Sequence, residues 1–340
     1  MSIENTSVTL EEVARLAGVS TSTVSRYLSG THFVAEEKAT AIESSIKRLN
    51  YRPNLVARGL AKGRTMTVGV LTQEISSSFF NEAMRGVEDG LASLHYEAVF
   101  ASGHWNKAEG EQRLMSLMGR RVEGVILLVG DLDDELLDRH AQGVPMVLLG
   151  RRSASMRVHS LCFDHYTGAC DAVRHLLELG HRKIAFIAGP PGRQDAEERW
   201  RGYHDTLVAA GLPFDEGLVA PGGYVEMGGV TAMNMLLDRG LPFSAVFAAN
   251  DDSAYGAMLS LYRRGMRVPD YMSIVGYDDL PHSAFSLPPL TSVRQPLRDL
   301  GREAAAAVVA LIDGRKPPRT TMAKLELIVR ESTKAVPIAR

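Results

Sequence analysis

Residues 8–28 read VTLEEVARLAGVSTSTVSRYL, a pattern for two short helices joined by a tight turn. Thr9 is a candidate N-cap, and Glu12, three residues on, supplies the other half of a capping box. Leu10, Val13, Ala14 and Ala17 recur at helical spacing and form one apolar stripe. Gly18 stands where that helix must stop, because glycine takes a left-handed backbone at little cost. Ser20 can cap a second helix, on which Val24 and Leu28 face inward one turn apart. Thr21, Ser22, Ser25 and Arg26 lie on its opposite side. Short hydroxyls let a helix approach base edges and phosphates closely, and an arginine can pair bidentately with guanine O6 and N7. The plainer reading is an amphipathic hairpin with a solvated face, and periodicity alone does not separate the two.

The flanking sequence favours the DNA reader. Ala39, Ile42, Ile46 and Leu49 make a third amphipathic helix, enough to close a small core. Residues 1–65 hold nine Lys and Arg against six Glu, a net +3; the whole chain carries −2, which leaves −5 on the remainder. Positive charge sits with the hairpin, as phosphate binding requires. The next stretch, residues 51–65, reads YRPNLVARGLAKGRT. Pro53 ends the third helix, and Asn54 can cap a short helix over 55–61. With little core of its own and Gly59 inside it, that helix is marginal alone. It reads as a hinge that folds in company. Leu60 then either packs on the following domain or wedges between minor-groove base steps.

A chain of 340 residues, 45% of them hydrophobic, calls for two or three domains with well-buried cores. Its two cysteines, Cys162 and Cys170, lack metal-ligand spacing, and a reduced cytoplasm is the simplest setting for them. The opening MSIENTSVTLEE has neither a basic start nor an apolar run, so no secretion signal is expected. No stretch approaches the roughly 18 apolar residues of a spanning helix. Phosphate-loop, nucleophile-elbow and zinc-protease motifs are lacking, and the histidines are scattered. No enzyme, metal or cofactor is expected.

From residue 67 short apolar runs alternate with amphipathic helices. The runs are TVGVLT (67–72), EAVFAS (97–102), GVILLV (124–129), PMVLLG (145–150), KIAFIAG (183–189), SAVFAAN (244–250) and MSIVGYDD (272–279). Strand and helix in repetition predict parallel sheets covered on both faces, and the number of runs suits two sheets. Ligands of such sheets sit beyond the carboxyl ends of the strands. Those positions hold Gln73, Phe79 and Phe80 after the first run, then Arg193, Asp195 and Arg199 after KIAFIAG. Asn250, Asp251 and Asp252 follow SAVFAA, Asp278 and Asp279 end MSIVGYDD, and Tyr224 follows a Gly-Gly turn. Amides, carboxylates and arginine can bond vicinal hydroxyls in pairs, and aromatic rings can stack on a sugar's apolar face. The alternative is ordinary loop charge on exposed strand ends.

VTLEEVARLAGVSTSTVSRYLSG, then FVAEE, then LNYRPNLVARGLA, resembles the start of a lactose-repressor/galactose-repressor family regulator, and LELGHRKIAFIAGP (177–190) is a second family signature. The resemblance implies that Thr21, Ser22 and Arg26 read bases. It implies that Thr23, Ser25 and Asn54 contact the DNA backbone, and that Arg58 and Leu60 work in the minor groove. It likewise implies that Arg199, Asn250 and Asp278 bind sugar hydroxyls, that Tyr224 is an aromatic wall, and that Phe79 and Phe80 are pocket residues. Asn250-Asp251 resembles sugar-responsive members, whereas Arg193, Phe79 and Phe80 resemble purine-responsive ones. His181 and Arg182 read as structural, tying a helix end to the sheet.

The fold class expected is therefore α/β: an all-α helix-turn-helix headpiece and a two-lobed, periplasmic-binding-protein-like core with parallel sheets. The expected domains are 1–53, a hinge helix and linker over 54–65, and a ligand-binding core over 66–340. Within the core, one lobe takes about 66–162 plus 292–324, and the other about 163–291 plus 325–340. The expected function is a cytoplasmic transcription regulator, by family default a repressor, acting as a homodimer on palindromic double-stranded DNA and controlled by a small sugar or sugar derivative. The alternatives are a response to a purine or other ligand, or a sugar-binding transport or chemotaxis receptor. The receptor would need a secretion signal where this chain has a helix-turn-helix.

Overall fold

Capping and glycine set the first helices of the computed structural model, which describes residues 8–29, 33–51, 64–128, 130, 132–318, 322 and 324–336. Helix α1 spans Leu10–Ala17, with Thr9 and Glu12 forming the capping box. Gly18 ends it at φ 65°, in the left-handed region. Helix α2 spans Thr21–Ser29 and α3 spans Glu36–Leu49. Val13, Ala14, Val24 and Ile42 form the buried centre of this small core. By internal contacts the chain divides into two units, Met1–Thr65 and Met66–Arg340.

The second unit holds two sheets. The first is five-stranded and wholly parallel, built from β1 (Thr67–Thr72), β2 (Glu97–Ser102), β3 (Gly124–Leu128), β4 (Met146–Leu149) and β5 (Val158–Leu161), in the order β2-β1-β3-β4-β5. The second contains β6 (Ile184–Ala188), β7 (Val219–Pro221), β8 (Ala245–Ala248), β9 (Ser273–Asp278), β10 (Thr291–Arg294) and β11 (Glu326–Ile328). Its order is β11-β10-β9-β8-β6-β7, with only the β10–β11 pair antiparallel. Apolar strands such as Val125–Leu128 and Ala245–Ala248 are buried throughout because helices cover both faces.

Those covering helices are α4 (Ser78–Ser93), α5 (Lys107–Gly119) and α6 (Asp134–His140) in the first lobe. The second lobe has α7 (His165–Glu178), α8 (Gln194–Ala209), α9 (Glu226–Asp238) and α10 (Asp251–Arg263). The last helix, α11 (Leu297–Ile312), packs against α4 and the first sheet. Because β10 pairs with β9, the chain returns to the first lobe after Arg294, slightly later than residue 292. His181 ties the end of α7 to the second sheet through Ser244 Oγ (2.8 Å) and Ser273 Oγ (3.1 Å). In both sheets the strand order reverses beside the first strand, and ligands of parallel sheets lie outside the carboxyl ends at such a reversal.

Asp251 pins the loop after β9. Its wholly buried carboxylate accepts from Leu280 N (2.8 Å), Ser283 Oγ (2.5 Å) and Ser292 Oγ (2.6 Å). Burial pushes this carboxyl up to about 7, against the pull of those donors. Asp251→Asn should lower stability by about 1–3 kcal/mol, because an amide cannot accept from all of them. A folded value raised from 3.8 to about 7 stabilises at low pH and is lost as pH rises through 7. The gap in melting temperature between wild type and variant should therefore narrow from pH 5 to pH 8. A constant gap would mean that Asp251 is ionised throughout.

Candidate functional site

The headpiece presents a polar face on α2. Thr21, Ser22, Ser25 and Arg26 are exposed along it, while Val24 on the other side is fully buried. Ser20 caps the helix by accepting from Thr23 N at 3.3 Å. The Ser20 hydroxyl lies 2.8 Å from the hydroxyls of both Ser22 and Thr23, so half-buried Thr23 is partly engaged within the turn. Arg26 Nε donates to Ser22 O at 3.3 Å, which lays the guanidinium along the helix surface. Asn54, Arg58 and Leu60 lie outside the described residues.

In the core, a cavity of about 1400 Å³ lies between the lobes. Its wall brings together Phe79, Phe80, Arg193, Arg199, Tyr224, Asn250 and Asp278 from five separate stretches of the chain. Gln73 is the exception. It does not line the cavity but is 4% exposed, its side chain packed against Gly103 and Gly130. The strand-end rule placed its backbone correctly; the side chain turns into the sheet edge instead.

Arg199 is the centre of the second lobe's wall and is only 2% exposed. Its Nη1 donates to Ala249 O (2.5 Å) and lies 3.5 Å from Asp278 Oδ1. Its Nη2 sits 3.8 Å from Asp195 Oδ2 and 3.5 Å from His165 Nδ1. The guanidinium lies 3.9 Å from the centroid of the Tyr277 ring. Burial opposes the charge, but Tyr224, Asp278 and the neighbouring groups outweigh it and hold Arg199 protonated. Burial also drives His165 down to about 3, so it faces Arg199 as a neutral acceptor. Burial pushes Asp278 well above the usual carboxylate range, against the attraction of Arg199. Burial acts to raise Asp195 too, yet the guanidiniums of Arg193 and Arg199 prevail and hold it low.

The other polar groups are tied to the scaffold as well. Asn250 Oδ1 caps α10 by accepting from Ser253 N (3.0 Å), and its Nδ2 donates to Tyr224 O (3.2 Å). Gln295 Nε2 donates to Asp278 Oδ1 at 2.6 Å, from the segment that crosses between lobes. Tyr224 stands at φ 65°. Its ring fills the space beside Gly189, where a Cβ would come within 2.5 Å of it. Arg199 Nε and the Tyr224 hydroxyl are buried without hydrogen-bond partners. Unpaired buried polar atoms on residues that line a cavity are candidates for bonding to a polar ligand.

Among the lining residues that the sequence reading did not name is Trp105, while Asp195, named with the strand-end residues, lines the cavity too. Trp105 follows β2 and Asp195 begins α8, both at carboxyl ends of strands. Trp105 lies in the loop after EAVFAS, a position the strand-end rule covers. Among the described residues no group of three or more His, Cys, Asp and Glu side chains is placed to hold a metal ion. No described helix is long and apolar enough to cross a membrane. Cys162 and Cys170 are free thiols.

Comparison with known proteins agrees with this layout. Residues 9–54 match the family described as bacterial regulatory proteins, lacI family, and residues 173–333 match a periplasmic binding protein-like domain. The HTH-type transcriptional regulator CelR of Thermobifida fusca is 39% identical over 95% of this chain and 98% of its own. The regulator AscG of Escherichia coli (strain K12) is 34% identical over 93% of this chain and 96% of its own. Among solved structures, a CelR–cellobiose complex superposes with a TM-score of 0.72, at 38% identity over 96% of this chain and 99% of that one. A lac repressor dimer bound to operator and the anti-inducer ONPF gives a TM-score of 0.88, at 29% identity over 97% and 100%.

The network around Arg199 predicts more than loss of a ligand contact when that residue is removed. Arg199→Ala leaves Asp195 to Arg193 alone and takes a donor from Ala249 O and Asp278 in a buried site, which should cost about 1–3 kcal/mol for each group left unpaired. Thermal melts should show it, with Arg199→Lys losing less. An Arg199→Ala protein as stable as wild type would mean that the guanidinium is not part of the fold's support.

Proposed function

This chain belongs to the lacI family of bacterial regulatory proteins, and on that premise we propose that it is a transcription regulator whose hold on its operator is set by a sugar bound between the two core lobes. The observation that carries the sugar reading is the cavity wall. Arginine, amide and carboxylate side chains converge there with buried, unpaired polar atoms, between aromatic rings. Such a wall suits the hydroxyls and the apolar face of a pyranose, and discriminates by what it leaves unpaired. The relative solved with cellobiose supports the same ligand class.

Thr21, Ser22 and Arg26 would read bases, with Thr23, Ser25 and Asn54 on the DNA backbone and Arg58 and Leu60 in the minor groove. Two copies would match a palindromic site, as in the lac repressor dimer on its operator. Leu259, Tyr262, Phe285 and Leu287, all exposed on the second lobe, are candidate contacts for the second copy. Ligand closing the lobes would alter the headpiece's presentation, and a coupling of about 1–3 kcal/mol gives a roughly 5- to 150-fold change in operator affinity. No catalysis is proposed, and a bacterial cytoplasm is the setting. Arg193 with Phe79 and Phe80 favours one other effector, a planar purine stacked against the rings.

The test is a fluorescence anisotropy titration of the full chain on labelled DNA from upstream of its gene, repeated with mono- and disaccharides and with purines. Tight, salt-sensitive binding shifted at least fivefold by one sugar is the expected result. A shift by purines alone would replace the sugar. Asn250→Ala should remove the response and spare DNA binding. Arg26→Ala should relax base choice at one operator position by about 1–3 kcal/mol; uniform weakening across sequences would instead make Arg26 a phosphate contact.

A further inference from the structure

Trp105 is a large apolar ring left 42% exposed in a cavity whose polar residues Arg199, Asn250 and Asp278 are 2–5% exposed. It is held there by two consecutive left-handed residues, His104 at φ 50° and Trp105 at φ 54°. Non-glycine residues in that region are uncommon, and such strain collects at binding sites. Phe80 backs the indole at 5.8 Å between centroids. The face of the indole is covered by a side chain from the opposite lobe: the Arg193 guanidinium lies 4.5 Å from the Trp105 centroid and 5.4 Å from that of Tyr224. Arg193 is also tethered to Asp195, through Nε at 3.1 Å and Nη2 at 3.4 Å.

We propose that Trp105 is the platform for a second sugar ring at the cavity's first-lobe side, that the Arg193 guanidinium stands where that ring would lie, and that the effector is therefore a sugar of at least two rings. The inference rests on the sugar reading above and narrows it. The inner ring takes Arg199, Asn250 and Asp278, and the outer ring stacks its apolar face on the indole. A guanidinium over an aromatic face is held weakly enough to yield, and the Asp195 tether keeps it close when it swings aside. The cavity, about 1400 Å³, exceeds the roughly 300–1,000 Å³ of ordinary small-ligand pockets, which leaves space for the larger sugar. Because Trp105 belongs to the first lobe and Arg193 to the second, a ring on the platform touches both.

The chain contains only two tryptophans. Trp200 stacks on His204 and does not line the cavity. In full-length Trp200→Phe protein, emission therefore reports Trp105 alone. Cellobiose, lactose and maltose would be titrated beside glucose and galactose, with binding followed by calorimetry and Trp105 by its emission. At least one disaccharide should bind and change the Trp105 emission. Trp105→Ala should weaken that disaccharide about tenfold and the component monosaccharide less than twofold, and Trp105→Phe should recover most of the loss. A disaccharide that binds without moving Trp105 emission, or a Trp105→Ala protein that weakens both sugar sizes equally, overturns the platform and leaves the sugar reading intact. Absence of calorimetric binding for every sugar overturns both.

Discussion

Taking a guanidinium out of water costs several kcal/mol unless its neighbours offset it, and the second lobe of this protein is arranged around that constraint. Arg199 reaches the carboxyl ends of β8 and β9 at once, through Ala249 O and Asp278. It also holds Asp195 at the start of α8 and donates to the neutral Nδ1 of His165 at the start of α7. Four elements thereby share one charge. The same side chain lines the cavity and keeps its buried Nε without a partner. One residue thus both supports the lobe and lines the cavity, so that part of the cavity wall is fixed to the core behind it.

The constraint extends to the crossing between lobes. Gln295 lies just beyond β10, and its amide holds Asp278 Oδ1. A group that enters the cavity and perturbs Asp278 therefore acts on the segment that carries the chain into α11. Helix α11 in turn packs along α4 of the first lobe. These contacts form a physical route from cavity to lobe geometry, of the kind that a ligand-biased two-state arrangement requires.

Much of this was legible in the residues. The capping box at Thr9 and Glu12 and the stop at Gly18 are local chemistry, readable because they involve neighbours three to nine residues apart. The long apolar runs predicted β1 to β4, β6, β8 and β9, most of them continuously apolar because they are buried on both faces, with β2 the half-exposed edge strand. Strands β5, β7, β10 and β11 have three or four residues each. Partners distant in sequence make them strands, and no local period marks them. For the same reason the strand-end rule gathered residues that line the cavity but could not orient Gln73. Side-chain direction there depends on Gly103 and Gly130, which come from other strands. Trp105 was open to the rule and Arg193's reach across to it was not, because a contact between lobes has no signature in either segment.

The cavity's two kinds of wall differ in how freely they can be altered. Asn250 is at once a helix cap and a partner of Tyr224, and Arg199 and Asp278 are bonded into the sheet. A mutation at any of them also removes a contact that supports the fold. Phe79 and Trp105 carry rings without hydrogen-bonding duties and sit partly exposed. Descent with modification can therefore retune this protein to a new ligand through its aromatic wall while the polar floor is inherited unchanged. A laboratory seeking a biosensor for a different molecule should diversify the same few positions.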